Sequence, residues 1–262
     1  MNFKVGDYVT RKSHNNDVVF IITDIVDNIC YLKGINFRLC ADSEIEDLVI
    51  YNMNIDKEEE EFIERIKPDN ISDVSRSDYF YLPGKILHID SDDEYLKRCL
   101  KYYESANIWA FGIKEKESNF ASKIHEWLKE YNPSIIVITG HDAFYRKKGS
   151  EHNIKSYKNS INFVNAVKEA RRFEKSHEKL IIIAGACQSN YEELIKAGAN
   201  FASSPKRVNI HALDPAIIAT KMSLSDASKE INIKSILENT KYGKEGMGGV
   251  ITKGTMYVGY PR

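Results

Sequence analysis

Along the first fifty residues short apolar runs alternate with polar turns: Tyr8-Val9-Thr10, then Val18 to Ile22 after His14-Asn15-Asn16-Asp17, then Ile29 to Leu32 before Lys33-Gly34. Strands this short, separated by Asn, Asp and Gly, predict a small antiparallel barrel of SH3-like type over residues 1–50, with no evident catalytic set. Asn54 to Lys67 carries Glu58-Glu59-Glu60-Glu61 followed by Phe62, Ile63 and Ile66. That pattern predicts a short helix with a solvated acidic face, ending before Pro68. Asp69 to Asp78 is polar and has neither period. Residues 51–78 therefore read as helix and linker, with a domain boundary near Tyr79.

Over residues 79–262 the pattern changes to wholly apolar strands separated by helical segments. Strands are predicted at Lys85 to Ile89, Ile108 to Ile113, Ile135 to Thr139, Leu180 to Ala184 and Asn200 to Ala202. Helices are predicted at Asp92 to Ser105, Ser118 to Tyr131, Asn159 to Arg172, Tyr191 to Lys196, Asp214 to Met222 and Ile233 to Glu238. Strands apolar along their whole length and separated by helices imply an α/β fold with a parallel sheet covered on both faces. In such a sheet chemistry sits at the C-terminal edge.

Composition narrows the function classes. With 37 Lys+Arg against 38 Asp+Glu the net charge is -1, so no bulk field argues for nucleic acid or an anionic membrane. No apolar run approaches the roughly 20 residues of a membrane helix, and Met1-Asn2-Phe3-Lys4-Val5-Gly6-Asp7 carries no signal core, so a cytoplasmic protein without membrane insertion is expected. Cys30, Cys40, Cys99 and Cys187 form no CxxC pair, which argues against disulfide scaffold and zinc knuckle alike. The absence of a clustered His/Cys/Asp motif leaves no cofactor indicated and makes a metallohydrolase a poor fit.

Two strand ends stand out. Ile135-Ile136-Val137-Ile138-Thr139-Gly140-His141-Asp142 and Leu180-Ile181-Ile182-Ile183-Ala184-Gly185-Ala186-Cys187 both finish in a small-residue turn followed by a reactive side chain. If the strands are adjacent and parallel, His141 and Cys187 meet at one edge as acid/base and thiol nucleophile, the constellation of a cysteine hydrolase. The thiolate attacks, the imidazole protonates the leaving amine, and backbone amides of the same turns, those of Asp142 and Cys187, hold the oxyanion. Taken singly, each residue is better read as core: free cysteine is among the most buried residue types. Among the other histidines, His125 belongs to an amphipathic helix, His14, His152 and His177 to polar loops, and His88 to a strand. Only His211 is a candidate supporting group.

In the contexts Thr139-Gly140-His141 and Gly185-Ala186-Cys187 this pair resembles the caspase-hemoglobinase-fold peptidases of clan CD. Together with Val5-Gly6-Asp7-Tyr8-Val9-Thr10-Arg11-Lys12-Ser13, the Leu32-Lys33-Gly34 turn and Gln188-Ser189-Asn190, the chain resembles, over nearly its whole length, the YabG family of sporulation-specific cysteine proteases of endospore formers. The resemblance implies a caspase-like, mainly parallel sheet flanked by helices and preceded by the SH3-like barrel. It also implies a mother-cell endopeptidase that trims spore coat and cortex-associated proteins, cleaving after arginine, in the cytoplasm or on the forming coat. The clan's usual glycine after the catalytic histidine is here Asp142, whose carboxylate must point away from an oxyanion and is free to orient a loop or a substrate amine. Where several basic-specific relatives place an acid two residues before the cysteine, this chain has Gly185. The clan's other source of arginine recognition, the loop after the first strand, offers Asp90-Ser91-Asp92-Asp93, with Asp92 the first candidate and Asp90 the second. Helix capping is the competing role for these acids, and Asp214, before Pro215, is divided between cap and pocket in the same way. Arg76, between Ser75 and Ser77 in the linker, is a self-cleavage candidate.

Other readings stay open. Gly185-Ala186-Cys187-Gln188-Ser189 lacks the further glycine of a glutaminase-type thiol hydrolase, which weakens that assignment. A catalytically silent coat-assembly scaffold with Cys187 as mere core is the alternative from another class. Gly243-Lys244-Glu245-Gly246-Met247-Gly248-Gly249 lacks the spacing of a phosphate loop and reads as a turn or a flexible site border. Arg146-Lys147-Lys148 is too short a basic patch for nucleic acid. Oligomeric state and natural substrates are not encoded in any of these patterns.

Overall fold

A computed structural model of the chain describes residues 3–51, 57–68 and 79–260. The linker expected at Asp69 to Asp78, with its self-cleavage candidate Arg76, lies outside them. Five short strands open the chain: β1 (Tyr8–Arg11), β2 (Phe20–Val26), β3 (Ile29–Gly34), β4 (Cys40–Glu44) and β5 (Leu48–Ile50). They form one antiparallel sheet in the order β4-β3-β2-β1-β5. Its inward positions, among them Val9, Phe20, Ile22, Cys30, Leu32 and Leu48, are buried.

Helix α1 (Lys57–Arg65) follows, then β6 (Phe80–Leu82), and from there strands alternate with helices. These are β7 (Ile86–Asp90), α2 (Asp93–Ser105), β8 (Ala110–Lys114), α3 (Phe120–Tyr131), β9 (Ile135–Thr139), α4 (Ser160–Phe173), β10 (Ile181–Ala184), α5 (Tyr191–Lys196) and β11 (Phe201–Ser203). The chain closes with α6 (Asp214–Ser223), α7 (Ile233–Leu237), β12 (Met247–Gly249) and β13 (Tyr257–Gly259). The main sheet has the order β12-β11-β10-β9-β7-β8, parallel except for β12, and β13 pairs with β6 in a separate ribbon.

Alternation within the central strands shows both faces covered. Ile86, Ile135, Val137, Ile181 and Ile183 face one core, which α2, α6 and the inward residues of the antiparallel sheet share. Leu87, Ile89, Ile136, Ile138, Ile182 and Ala184 face the other, filled by α3, α4 and α5. Period-two burial on both faces is why these strands read as unbroken apolar runs. Helix α6 is apolar nearly all round, with Ala216, Ile217, Ile218, Ala219 and Met222 fully buried, because it lies within that shared core.

Two sequence expectations differ from the fold. The acidic run before Phe62 is not wholly a solvated face, since Glu59 turns inward, its Oε1 2.8 Å from His211 Nε2 and its Oε2 3.6 Å from Lys241 Nζ. Residues 243–249 do not end as a turn: Met247–Gly249 is the antiparallel edge strand on β11. Its glycines hide the strand from sequence patterning, yet Gly249 is needed there, because a Cβ would stand 2.5 Å from the Phe201 ring.

Candidate active site

The strand order reverses direction between β7 and β9, and in open parallel sheets ligands bind at the carboxyl ends flanking such a switch point. Strands β9 and β10 are adjacent and parallel with a constant offset of 46 positions, from Ile135↔Ile181 to Ile138↔Ala184. His141 and Cys187 are separated by the same 46 positions, so each stands at the same level beyond its strand.

The two turns are tied together. Asp142 is buried, and its carboxylate accepts hydrogen bonds from Ala143 N (2.9 Å), Asn159 N (2.7 Å), Ser160 Oγ and Ser189 Oγ (2.9 Å). It is thus spent on the loop, away from the strand ends, although burial pushes it above the usual carboxylate range against these bonds. Gln188 Oε1 accepts from Phe144 N at 3.2 Å. Gly185 has φ +109°, and a Cβ there would meet Ser203 Oγ at 2.2 Å and Leu194 at 2.9 Å, so this turn requires glycine. Among the described residues the backbone amides of Asp142 and Cys187 have no hydrogen-bond partner, which leaves two donors at the ends of neighbouring strands.

His141 is mostly buried. Its Nδ1 lies 3.4 Å from Ser91 Oγ and 4.0 Å from Glu117 Oε1, and its Nε2 lies 3.5 Å from Asp92 Oδ2. Glu117 Oε1 also accepts from His141 N (3.1 Å) and from Ser91 Oγ (2.6 Å). Among the described residues Nε2 itself makes no hydrogen bond, so a buried ring nitrogen is left without a hydrogen-bond partner. Burial lowers the His141 pKa, opposed by Asp92, Asp90 and Glu117, so the imidazole is neutral near pH 7. Ser91 and Glu117 were not among the residues singled out from sequence. The only signal for them is position, Ser91 between two acids at the end of β7 and Glu117 just before α3.

The three expected acids have different partners. Asp92 caps α2, accepting from Glu94 N (3.0 Å) and Tyr95 N (3.1 Å) through Oδ1, while Oδ2 lies 2.8 Å from Lys33 Nζ. Capping and site contact are therefore simultaneous in one carboxylate. Asp214, fully buried, accepts from His211 N (2.9 Å) and Lys241 N (2.8 Å), and burial raises its pKa. Asp90, also fully buried, accepts from Asp92 N (2.9 Å) and Thr139 Oγ1 (2.8 Å) and is ion-paired with Arg38, which the β3–β4 connection inserts into this cradle. Burial alone would raise its pKa, but the Arg38 guanidinium holds it well below the usual carboxylate range.

Cys187 is fully buried, its Sγ accepting from Ile210 N at 3.3 Å and standing 3.6 Å from Ile210 O. Burial pushes the thiol up to about 12, against the lowering effect of the Ile210 amide and of the nearby Arg38. In this arrangement the sulfur is a neutral thiol. All four cysteines are free, and Cys30 and Cys99 lie in the core. His211 is taken by Glu59 and by Leu213 N, and His88 by Tyr103 and Thr139.

Comparison with known proteins adds the following. The family model described as YabG peptidase U57 matches residues 4–261. The sporulation-specific protease YabG of Bacillus subtilis (strain 168) is 39% identical over 290 aligned residues, covering all of this chain and 99% of that protein. No solved structure matches. No helix among the described residues is long and apolar enough to cross a membrane.

Proposed function

Because the chain belongs to the YabG peptidase family, we propose that it is a cysteine endopeptidase of sporulation with Cys187 as nucleophile and His141 as general acid/base. The observation that carries this reading is the shared register of the two residues at the ends of adjacent parallel strands. In the reaction the Cys187 thiolate attacks the scissile carbonyl, His141 protonates the leaving amine, and a water then hydrolyses the thioester with His141 as base. The unpartnered amides of Asp142 and Cys187 suit the oxyanion.

For cleavage after arginine, Asp90 is the acid best supported. Its carboxylate lies in a closed cradle with the Ala212 carbonyl and the Tyr95 ring, and that cradle already accommodates a guanidinium. Asp92 borders the same space beside His141, whereas both oxygens of Asp214 are bonded to loop amides. The substrates we propose are spore coat and cortex-associated proteins met in the mother-cell cytoplasm or on the forming coat, in keeping with a relative described as a sporulation-specific protease. The caspase-like fold and the SH3-like barrel belong to the same reading. Arg76 is retained as a self-cleavage site, and a preparation aged at working concentration should yield a new N-terminus at Ser77; N-terminal sequencing without that end removes it.

Fluorogenic peptides ending in arginine, glutamine and leucine test the assignment. Cys187→Ala should lose essentially all turnover, a drop of about a thousandfold or more. Asp90→Asn should lose most of the preference for arginine over glutamine, because the charged partner of the guanidinium is gone. Turnover retained by Cys187→Ala contradicts the proposal.

A further inference from the structure

The connection Ile35 to Leu39, between β3 and β4, crosses from the antiparallel sheet onto the candidate active site and is bound there as a peptide would be. Its backbone forms an antiparallel bridge, Phe37↔His211, with Ala212 N donating to Asn36 O at 2.9 Å. Strand addition of this kind is a general mode of peptide recognition. One residue on, Arg38 is fully buried: its guanidinium pairs with Asp90, donates from Nε (3.2 Å) and Nη2 (3.0 Å) to Ala212 O, and lies 5.1 Å from the Tyr95 ring centroid. The bridge lies directly after Ile210, whose amide donates to the Cys187 sulfur at 3.3 Å, and Arg38 is near enough to lower the pKa of that thiol. Outside contacts hold the segment down, since Tyr95 Oη donates to Phe37 O (2.7 Å) and Arg98 Nη1 to Ile35 O (2.9 Å).

We propose that Ile35 to Leu39 is an autoinhibitory segment, with Arg38 occupying the guanidinium cradle as a substrate mimic supplied by the protein itself. A substrate and this segment compete for one place, so the enzyme is latent until the segment is displaced. Burying an arginine beside Asp90 for structural reasons alone would not require the adjoining backbone to pair with residues 211–212, next to the residue that hydrogen-bonds the nucleophile. Cys187 is itself completely buried, its sulfur hydrogen-bonded to Ile210, the residue before that bridge.

The inference rests on the cysteine-peptidase reading, and its test separates the two. Full-length wild type, Arg38→Ala and Arg98→Ala are treated with iodoacetamide under native conditions, and alkylation of Cys187 is followed by peptide mass spectrometry beside turnover of an arginyl peptide. Arg98→Ala removes a peripheral anchor without stranding a buried charge, so it serves if Arg38→Ala does not fold. Alkylation of Cys187 should rise about tenfold or more in either folded variant, the effect of losing one charge-assisted anchor, and turnover should rise with it. Faster alkylation without turnover keeps the occlusion and overturns the peptidase reading. Unchanged alkylation in both folded variants overturns the occlusion, whatever the turnover.

Discussion

At the scale of single residues the site is set by how a few buried charges are compensated. Asp90 is ionised only because Arg38 and two hydrogen-bond donors offset its burial. Its folded pKa is depressed, so it contributes stability above the unfolded carboxylate value of about 4, and that contribution is lost as pH falls below this value toward the folded one. Denaturant unfolding between pH 2 and 6 should show this limb in the wild type and lack it in Asp90→Asn, which should also be about 3–5 kcal/mol less stable at neutral pH with Arg38 left uncompensated. Glu117 raises the His141 pKa against burial, so Glu117→Gln should move the acidic limb of the pH–kcat/KM profile to lower pH and reduce turnover severalfold. An unmoved limb would show that Glu117 does not sense the imidazole. Cys187 and His141 were legible in the sequence because each follows a glycine-containing turn at the end of an apolar strand. Ser91, Glu117 and Arg38 were not, since their roles come from contacts between distant segments: Ser91 and Arg38 lie 50 and 52 positions from the His141 and Asp90 they meet.

At the scale of elements the decisive feature is the pair of turns that end β9 and β10. Their glycines are there because side chains fill the space a Cβ would take: Ser203 and Leu194 at Gly185, and Ser91 and Glu117 at Gly140. Gly185→Ala combines a positive φ with clashes against the Ser203 and Leu194 side chains and should cost about 2 kcal/mol or more, read as a lowered urea midpoint, together with loss of activity as the Cys187 turn shifts. An alanine variant with wild-type midpoint and turnover would contradict the tight packing of this turn. Strands β7, β9, β10 and β11 were readable because both faces are buried, which makes each strand an apolar run bounded by helix signals, whereas β8 is a partly exposed edge. The short β6, β12 and β13 were not, because Met247-Gly248-Gly249 and Tyr257-Val258-Gly259 carry neither period and pair only at edges.

At the scale of the whole molecule, the antiparallel sheet and the parallel sheet are joined by one apolar core, and the same surface that buries α6 also delivers the β3–β4 connection to the strand ends. The sequence pattern separates these two regions at a polar stretch, and their packing onto each other is a property of tertiary structure that no local period carries. The proposed specificity and the proposed restraint meet at one carboxylate, Asp90, which pairs with Arg38 from the N-terminal region. The central claim is that Cys187 cuts peptide bonds after arginine. Digestion of a mixed peptide library by the wild type and by Cys187→Ala in parallel, with cleavage sites read by mass spectrometry, tests it most directly. The account expects cuts after arginine with the wild type and none with Cys187→Ala; identical cuts by both proteins, or cuts by the wild type with no preference for arginine, would contradict it.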